Sequence, residues 1–169
     1  KNTTQLRQLA WTITASIGYV AYDLNMAYFG GFNRLQQVGF GGMDNNSQTI
    51  ALVAGVGFAF FLGLSEKRLW RKLIAFTAAT FMTHAVFFSF SRGGMLALCF
   101  VGLASFVLIP KSPKLVGLFA VGMLAAVMMA GPQVQARFST VFVDEENRDA
   151  SAQSRVDLWK SCWSLMLQN

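Results

Sequence analysis

Apolar and polar residues alternate in long blocks along this chain rather than residue by residue. Apolar blocks occupy about 9–29, 49–64, 73–90, 94–109 and 115–130. Short segments rich in charge, glycine or proline separate them. Continuous runs of this kind read as helices, because the strands of a membrane barrel would alternate in polarity. In hydrocarbon a lone segment satisfies its own backbone N–H and C=O groups only as a helix. Spanning a bilayer takes about 20 residues, and about 17 suffice. The second, fourth and fifth blocks lie near that lower limit, and Ser47, Gln48 and Pro110 can carry their ends into the interface. The pattern predicts an all-α fold. Residues 1–131 form a polytopic transmembrane helix bundle of about five spans, and 132–169 begin an extracytoplasmic helical loop. Gly55, Gly57, Gly63, Gly102, Gly117 and Gly122 fall inside the blocks and predict close helix packing.

Charge in the connecting segments sets an orientation. The segment from Ser65 to Lys72 holds four basic residues and one acid, and that from Pro110 to Lys114 holds two basic residues and no acid. The N-terminal end adds Lys1 and Arg7. Five spans put all three regions on one side, which the positive-inside rule makes cytoplasmic. The opposite side then receives residues 30–48, the tight Ser91-Arg92-Gly93 connection and everything after Gly131. From Pro132 onward the chain is polar and carries five of its eight acids. Ser154-x-x-Asp157 resembles a capping box and predicts a helix from about Arg155. Leu158, Trp159, Cys162, Trp163 and Met166 would form its apolar face, suited to a membrane interface.

Composition agrees with this pattern. The chain is 54% hydrophobic and 13% charged, whereas a soluble domain carries roughly a quarter charged residues. A net charge of +6 is compatible with a nucleic-acid partner, but the basic residues sit in separate loop clusters rather than along one face, so nucleic acid is excluded. Cys99 lies in an apolar run and reads as core packing, while Cys162 lies in the polar tail. Neither has a metal-ligand or redox spacing, so no metal site or disulfide framework is expected. No signal peptide is visible, the chain opens on Lys1, and it ends within an unfinished helical pattern. A piece of a longer protein is expected.

Few residues can carry chemistry. Arg92 sits between two apolar blocks on the side where positive charge is disfavoured. An arginine at membrane depth is costly, and it is usually paired or functional. Its planar fork suits phosphate, and the following glycines allow close approach to the backbone. The simpler reading is a snorkelling arginine in a tight turn. Arg34, Arg137 and Arg155 share that side and could complete a basic pocket for a pyrophosphate leaving group, or could be ordinary solvated charges. Asp44 and Asn45 precede the second block, where they can cap a helix or bond sugar hydroxyls and lipid headgroups. Asp23 and Asn25 are expected to face the bundle. His84, the only histidine, is read as lying in the middle of the third block, where it can hydrogen-bond across helices. No nucleotide-binding glycine loop, nucleophile elbow or cofactor motif is present.

The order of these motifs resembles a known family. Asp44-Asn45-Asn46 precedes a span, and Ser91-Arg92-Gly93-Gly94 joins two spans. Arg137-Phe138, an acidic stretch and Ser151-Ala152-x-Ser154-Arg155-x-x-x-Trp159 follow. The chain is similar to the O-antigen ligase family of bacterial membrane glycosyltransferases. Within it the chain looks most like the exosortase-associated O-glycosylation ligases. The resemblance implies transfer of a glycan from undecaprenyl pyrophosphate to a lipid A-core or protein hydroxyl at the periplasmic face of the inner membrane, without metal or nucleotide. It implies a place in lipopolysaccharide biosynthesis or O-glycosylation. It also implies that Arg92 and Arg155 recognise the pyrophosphate, and that a loop histidine beyond Asn169 activates the acceptor. His84 does not match that histidine.

Two other readings remain open. An O-antigen polymerase would use the same carrier lipid with a second carrier-linked glycan as acceptor. A transporter or non-catalytic membrane subunit would account for the helices and His84. It predicts midplane charges and an internal repeat, and no repeat is visible.

Overall fold

The computed structural model describes residues 2–39, 41–109, 112–113, 116–117, 119–122, 124 and 150–168. Among the described residues the fold is helical and contains no strand. The helices are α1 (Thr3–Phe29), α2 (Arg34–Gln37), α3 (Asn45–Ser65), α4 (Leu69–Phe88), α5 (Arg92–Leu108) and α6 (Ala150–Gln168). Described residues between 113 and 124 are also helical. Phe119 there meets Phe106 of α5 at 4.9 Å between ring centroids. Most of the fifth apolar block, and Arg137 with it, lies outside the described residues.

The helices outrun the apolar blocks at several ends. α1 begins at Thr3 rather than near Leu9, and α3 and α4 begin at Asn45 and Leu69. For α3 the start is set locally by Asp44, whose side chain caps the helix, whereas α1 and α4 begin without a side-chain cap. α6 begins at Ala150, so Ser154 and Asp157 sit inside the helix and do not cap it. Ala150, Ser151, Ala152 and Gln153 contain no breaker, so the helix extends upstream through them.

Contacts fix the directions of the main helices. Arg7, near the start of α1, bonds Glu66 just past the end of α3. Asn25, near the end of α1, bonds Phe81 and His84 of α4. α1 therefore runs with α4 and against α3. A Cβ built on Gly94 would overlap Thr49, and one on Gly57 would touch Val101 at 3.8 Å. Thr49 and Gly57 advance along α3 as Gly94 and Val101 advance along α5, so these two helices run parallel.

The core forms where α1, α3 and α4 meet, around Ala21, Leu24, Leu52, Met82 and Val86. Small residues set the spacing. A Cβ at Gly55 would stand 2.8 Å from both Ile17 and Met82, and one at Gly63 would meet the Phe76 ring at 3.0 Å. Gly55 and Gly63 therefore serve the close packing that membrane helices rely on. Gly117 and Gly122 have no described atom within 4 Å of a built Cβ. Cys99 is exposed on α5 rather than packed in the core, because α5 turns only one side towards α3.

Large apolar side chains cover the outside, including Ile50, Phe58, Leu73, Ile74, Phe100 and Leu103. An apolar exterior of this extent fits a surface that meets lipid or other helices. Among the described residues α3 is the helix both long and apolar enough to cross a membrane, and α5 is apolar but shorter.

Candidate functional site

Polar side chains collect at the two ends of the bundle. At the end holding the start of α1, the Glu66 carboxylate is buried and takes three close hydrogen bonds. Arg7 donates Nε–H and Nη2–H at 2.8 Å each, and Trp11 donates Nε1–H at 2.9 Å. Arg71 stands 3.8 Å away. This cluster ties α1 to the α3–α4 connection and answers both carboxylate oxygens.

The other end joins two of the sequence motifs. Asp44 is the N-cap of α3 and accepts from the Ser47 backbone N–H at 3.1 Å. Hydrogen bonds from the Ser47 side chain and backbone hold the Asp44 carboxyl below its usual range. It is thus ionised at the positive end of the helix dipole. Ser91 caps α5 in the same way, its hydroxyl oxygen accepting from Gly94 N–H at 3.2 Å. The same hydroxyl donates to Asn46 Oδ1 at 2.8 Å. Asn45 donates Nδ2–H to the Ser89 carbonyl at 2.7 Å, and Asn33 donates to the Phe88 carbonyl at 2.8 Å. The polar stretch before α3 thereby holds the end of α4 and the start of α5 in one assembly.

Arg92 occupies the first turn of α5, directly after its N-cap, and is half-buried. The two glycines after it have different roles. Gly93 is exposed with nothing within 4 Å of a built Cβ, whereas Gly94 is buried against Thr49. Only Gly93 leaves the backbone beside Arg92 open to a ligand. The preceding turn is strained, with Phe90 in the left-handed region at φ 54°, which a bulky residue rarely adopts. The surrounding bonds hold it there. Ser89 Oγ–H donates to the Val86 carbonyl at 2.7 Å, and Ser91 N–H donates to Ser89 Oγ at 3.1 Å. Such strain concentrates at functional sites.

Arg34 opens α2 and pairs with Asp23 of α1 at 2.7 Å, each side chain 38% exposed. Its neighbour in α1, Asn25, is fully buried and donates both amide hydrogens, to the Ala21 carbonyl at 2.6 Å and the Phe81 carbonyl at 2.9 Å. That fixes the amide orientation and turns Oδ1 towards His84 Nδ1. Oδ1 can only accept, so His84 carries a proton on Nδ1, and in the neutral imidazole the lone pair is then on Nε2. His84 is not central in its helix. It lies one turn before the last residue of α4, Phe88, on the same end as Arg92.

Arg155 lies in α6, and its side chain, like Arg137, is outside the described residues. Leu158, Trp159, Trp163 and Met166 of α6 are all strongly exposed. Among the described residues no three His, Cys, Asp or Glu side chains gather as a metal site. Sequence reasoning missed Asn33 and Ser89 as structural members of the rim, and gave no partner for Asn46. The available signal was a run of Asn and Ser on both sides of apolar blocks, which is what buried turn carbonyls and N–H groups require as partners.

No curated protein and no solved structure matches the chain. The model of a family described as O-antigen ligase matches residues 77–169, more than half of the chain. The matched stretch takes in most of α4, the Ser91–Arg92 turn, α5 and α6. With that match over a helical fold clothed in apolar side chains, the chain belongs to the O-antigen ligase family of membrane enzymes.

Proposed function

We propose that this protein transfers a glycan from undecaprenyl pyrophosphate to a lipid A-core or protein hydroxyl at the periplasmic face of the bacterial inner membrane. The observation that carries this reading is the position of Arg92. It stands in the first turn of α5, at a rim where the N-termini of α3 and α5 are joined through Asn46 and Ser91. A helix N-terminus favours anions, and a guanidinium beside it adds a planar donor fork for phosphate oxygens.

In the reaction the acceptor oxygen bonds to the anomeric carbon of the donor sugar. The bond from that carbon to the pyrophosphate oxygen breaks, and the acceptor proton passes to a general base. The difficult charge is the one that develops on the departing diphosphate. Arg92, with Arg155 and Arg137 from the later segment, binds that charge. Arg34, Asp44 and Asn45 flank it, and the last two keep the helix ends in place. The arrangement has five spans. The Glu66 end is cytoplasmic, where Lys67, Arg68, Arg71 and Lys72 cluster, and the Arg92 end is periplasmic. The exposed tryptophans of α6 suit a helix lying along the periplasmic interface.

The test is Arg92→Ala in the full-length protein. Loss of one transition-state donor of this kind costs about a hundredfold or more in rate. Glycan transfer should fall by that factor at normal expression. Unchanged transfer removes Arg92 from the mechanism. Product analysis distinguishes a capped lipid or protein, as proposed, from the lengthened carrier-linked polymer that a polymerase would make.

A further inference from the structure

We propose that His84 and the aromatic rings around it form a sugar-binding subsite beneath the rim. Its Nε2 would accept a hydrogen bond from a hydroxyl of the carrier-linked glycan. The inference rests on the lipid-linked donor proposed above but concerns a different part of that molecule, the sugar rather than the diphosphate.

Four observations lead there. Asn25 is locked by two backbone carbonyls and holds His84 through Nδ1–H, so in the neutral imidazole the lone pair is on Nε2. Nε2 has no hydrogen-bond partner among the described residues and is not a buried atom. An accessible acceptor one helical turn, about 5 Å, below a membrane rim has little water to satisfy it, so a ligand hydroxyl is a fitting partner. Third, Phe29 stacks on the imidazole at 5.5 Å and 14°, while Tyr28 and Phe88 meet it edge-on at 5.7 and 5.2 Å. Phe29 is 66% exposed. Aromatic faces carry negative charge and attract the polarised C–H edges of a sugar ring. A hydroxyl acceptor beside such faces matches a pyranose, which presents hydroxyls at its edge and C–H groups on its face. Fourth, Asn33 ties the last turn of α4 to the loop after α1 through the Phe88 carbonyl. The ring set therefore sits on a braced element rather than a free loop.

A purely structural histidine would need only Nδ1, and that distinction sets the experiment. His84→Asn keeps a donor for Asn25 Oδ1 and deletes the Nε2 acceptor. Full-length protein in nanodiscs would be titrated with two probes: a short polyprenyl pyrophosphate bearing N-acetylglucosamine, and the same polyprenyl pyrophosphate without sugar. One lost neutral hydrogen bond corresponds to roughly 3- to 10-fold in affinity. The substitution should weaken the sugar-bearing probe by that factor and leave the bare probe unchanged. Equal weakening of both, or of neither, overturns the subsite. A second readout needs no variant: nitrogen NMR of His84 in the native protein should show Nε2 shifting with the sugar-bearing probe alone. No shift, or the same shift with both probes, overturns it as well. Arg92→Ala reports separately on the diphosphate. If that variant binds the bare probe normally, the diphosphate reading fails, while the comparison at His84 still decides the sugar site.

Discussion

The Ser91 hydroxyl donates to Asn46 Oδ1 at 2.8 Å while accepting from the Gly94 backbone N–H at 3.2 Å. One side chain thus caps α5 and fastens it to the first turn of α3. Arg92, the next residue, inherits its position from both contacts. The cap alone would orient Arg92 relative to its own helix. The bond to Asn46 orients it relative to the rest of the rim.

Ser91→Ala should remove both contacts and cost about 1–2 kcal/mol, the range of a lost N-cap. Asn46→Ala should remove only the link between helices, at about 0.5–1 kcal/mol. The double variant should lose less than the sum, because both single changes delete the same bond. Thermal unfolding of the purified protein measures the cycle. Strict additivity would mean that the link carries no energy.

Glu66 makes stability depend on pH in acid. The Trp11 hydrogen bond, and then the Arg7 guanidinium, hold its carboxyl below the ordinary 4.5 despite burial. A carboxyl whose folded pKa is depressed binds its proton more readily in the unfolded chain. Its stabilisation is therefore complete above pH 4.5 and is lost as pH falls through the lower folded value. Glu66→Gln should flatten that acid limb of the stability profile. Glu66→Ala should destabilise by about 2–3 kcal/mol at neutral pH, since Trp11 and Arg7 lose their acceptor. An acid limb unchanged in Glu66→Gln would assign it to other carboxylates.

Much of the helical order was legible because apolar blocks are continuous and charge falls between them. The pairing of the two ends was legible in part. The count of apolar blocks puts Arg7 on the same side as the Ser65–Lys72 segment, and the Arg7–Glu66 contact joins those regions. Which residues hold the rim together was not legible. Asn33, Asn45 and Asn46 act on carbonyls or hydroxyls 44 to 55 residues away, and no local spacing encodes such partners. His84 was misplaced towards the middle of its span because the apolar block runs to Phe90, whereas the helix stops at Phe88. Phe90 itself takes the left-handed turn, a role its residue type gives no hint of. Ser154-x-x-Asp157 misled because a capping motif works only where the helix has no residues before it.

Asn25 is the internal brace between α1 and α4. Asn25→Leu fills a similar volume but leaves the Nδ1–H of His84 without its acceptor. Hydrogen bonds between membrane helices contribute about 0.6 kcal/mol on average, and up to about 1.7. A loss of about 1–2 kcal/mol is expected in reversible unfolding. His84→Asn should lose less, because its amide can still donate to Asn25. If the two variants are equally destabilised, the imidazole ring rather than the hydrogen bond holds the helices.

Gly94 sets how closely α5 approaches α3 at the rim. A Cβ there would overlap Thr49 Cγ2 and stand 3.2 Å from Thr49 Cβ. Thr49 cannot easily rotate away, because its hydroxyl bonds the Asn45 carbonyl at 2.7 Å and the residue is fully buried. Gly94→Ala must therefore move the start of α5, which strains the Ser91–Asn46 bond and displaces Arg92. Overpacking of this kind costs about 1–3 kcal/mol. Because the displacement falls on Arg92, transfer should drop further than the loss of folded protein explains. The clash has an identified partner, so it has an identified remedy. Thr49→Ala removes Cγ2, and in the double variant the nearest side-chain atom is the remaining Cβ. Gly94→Ala with Thr49→Ala should recover most of the stability and transfer lost by Gly94→Ala alone. Thr49→Ala by itself should be only mildly destabilising. If the double variant is as impaired as Gly94→Ala, then the fault lies in the α5 backbone at that position and not in its contact with α3.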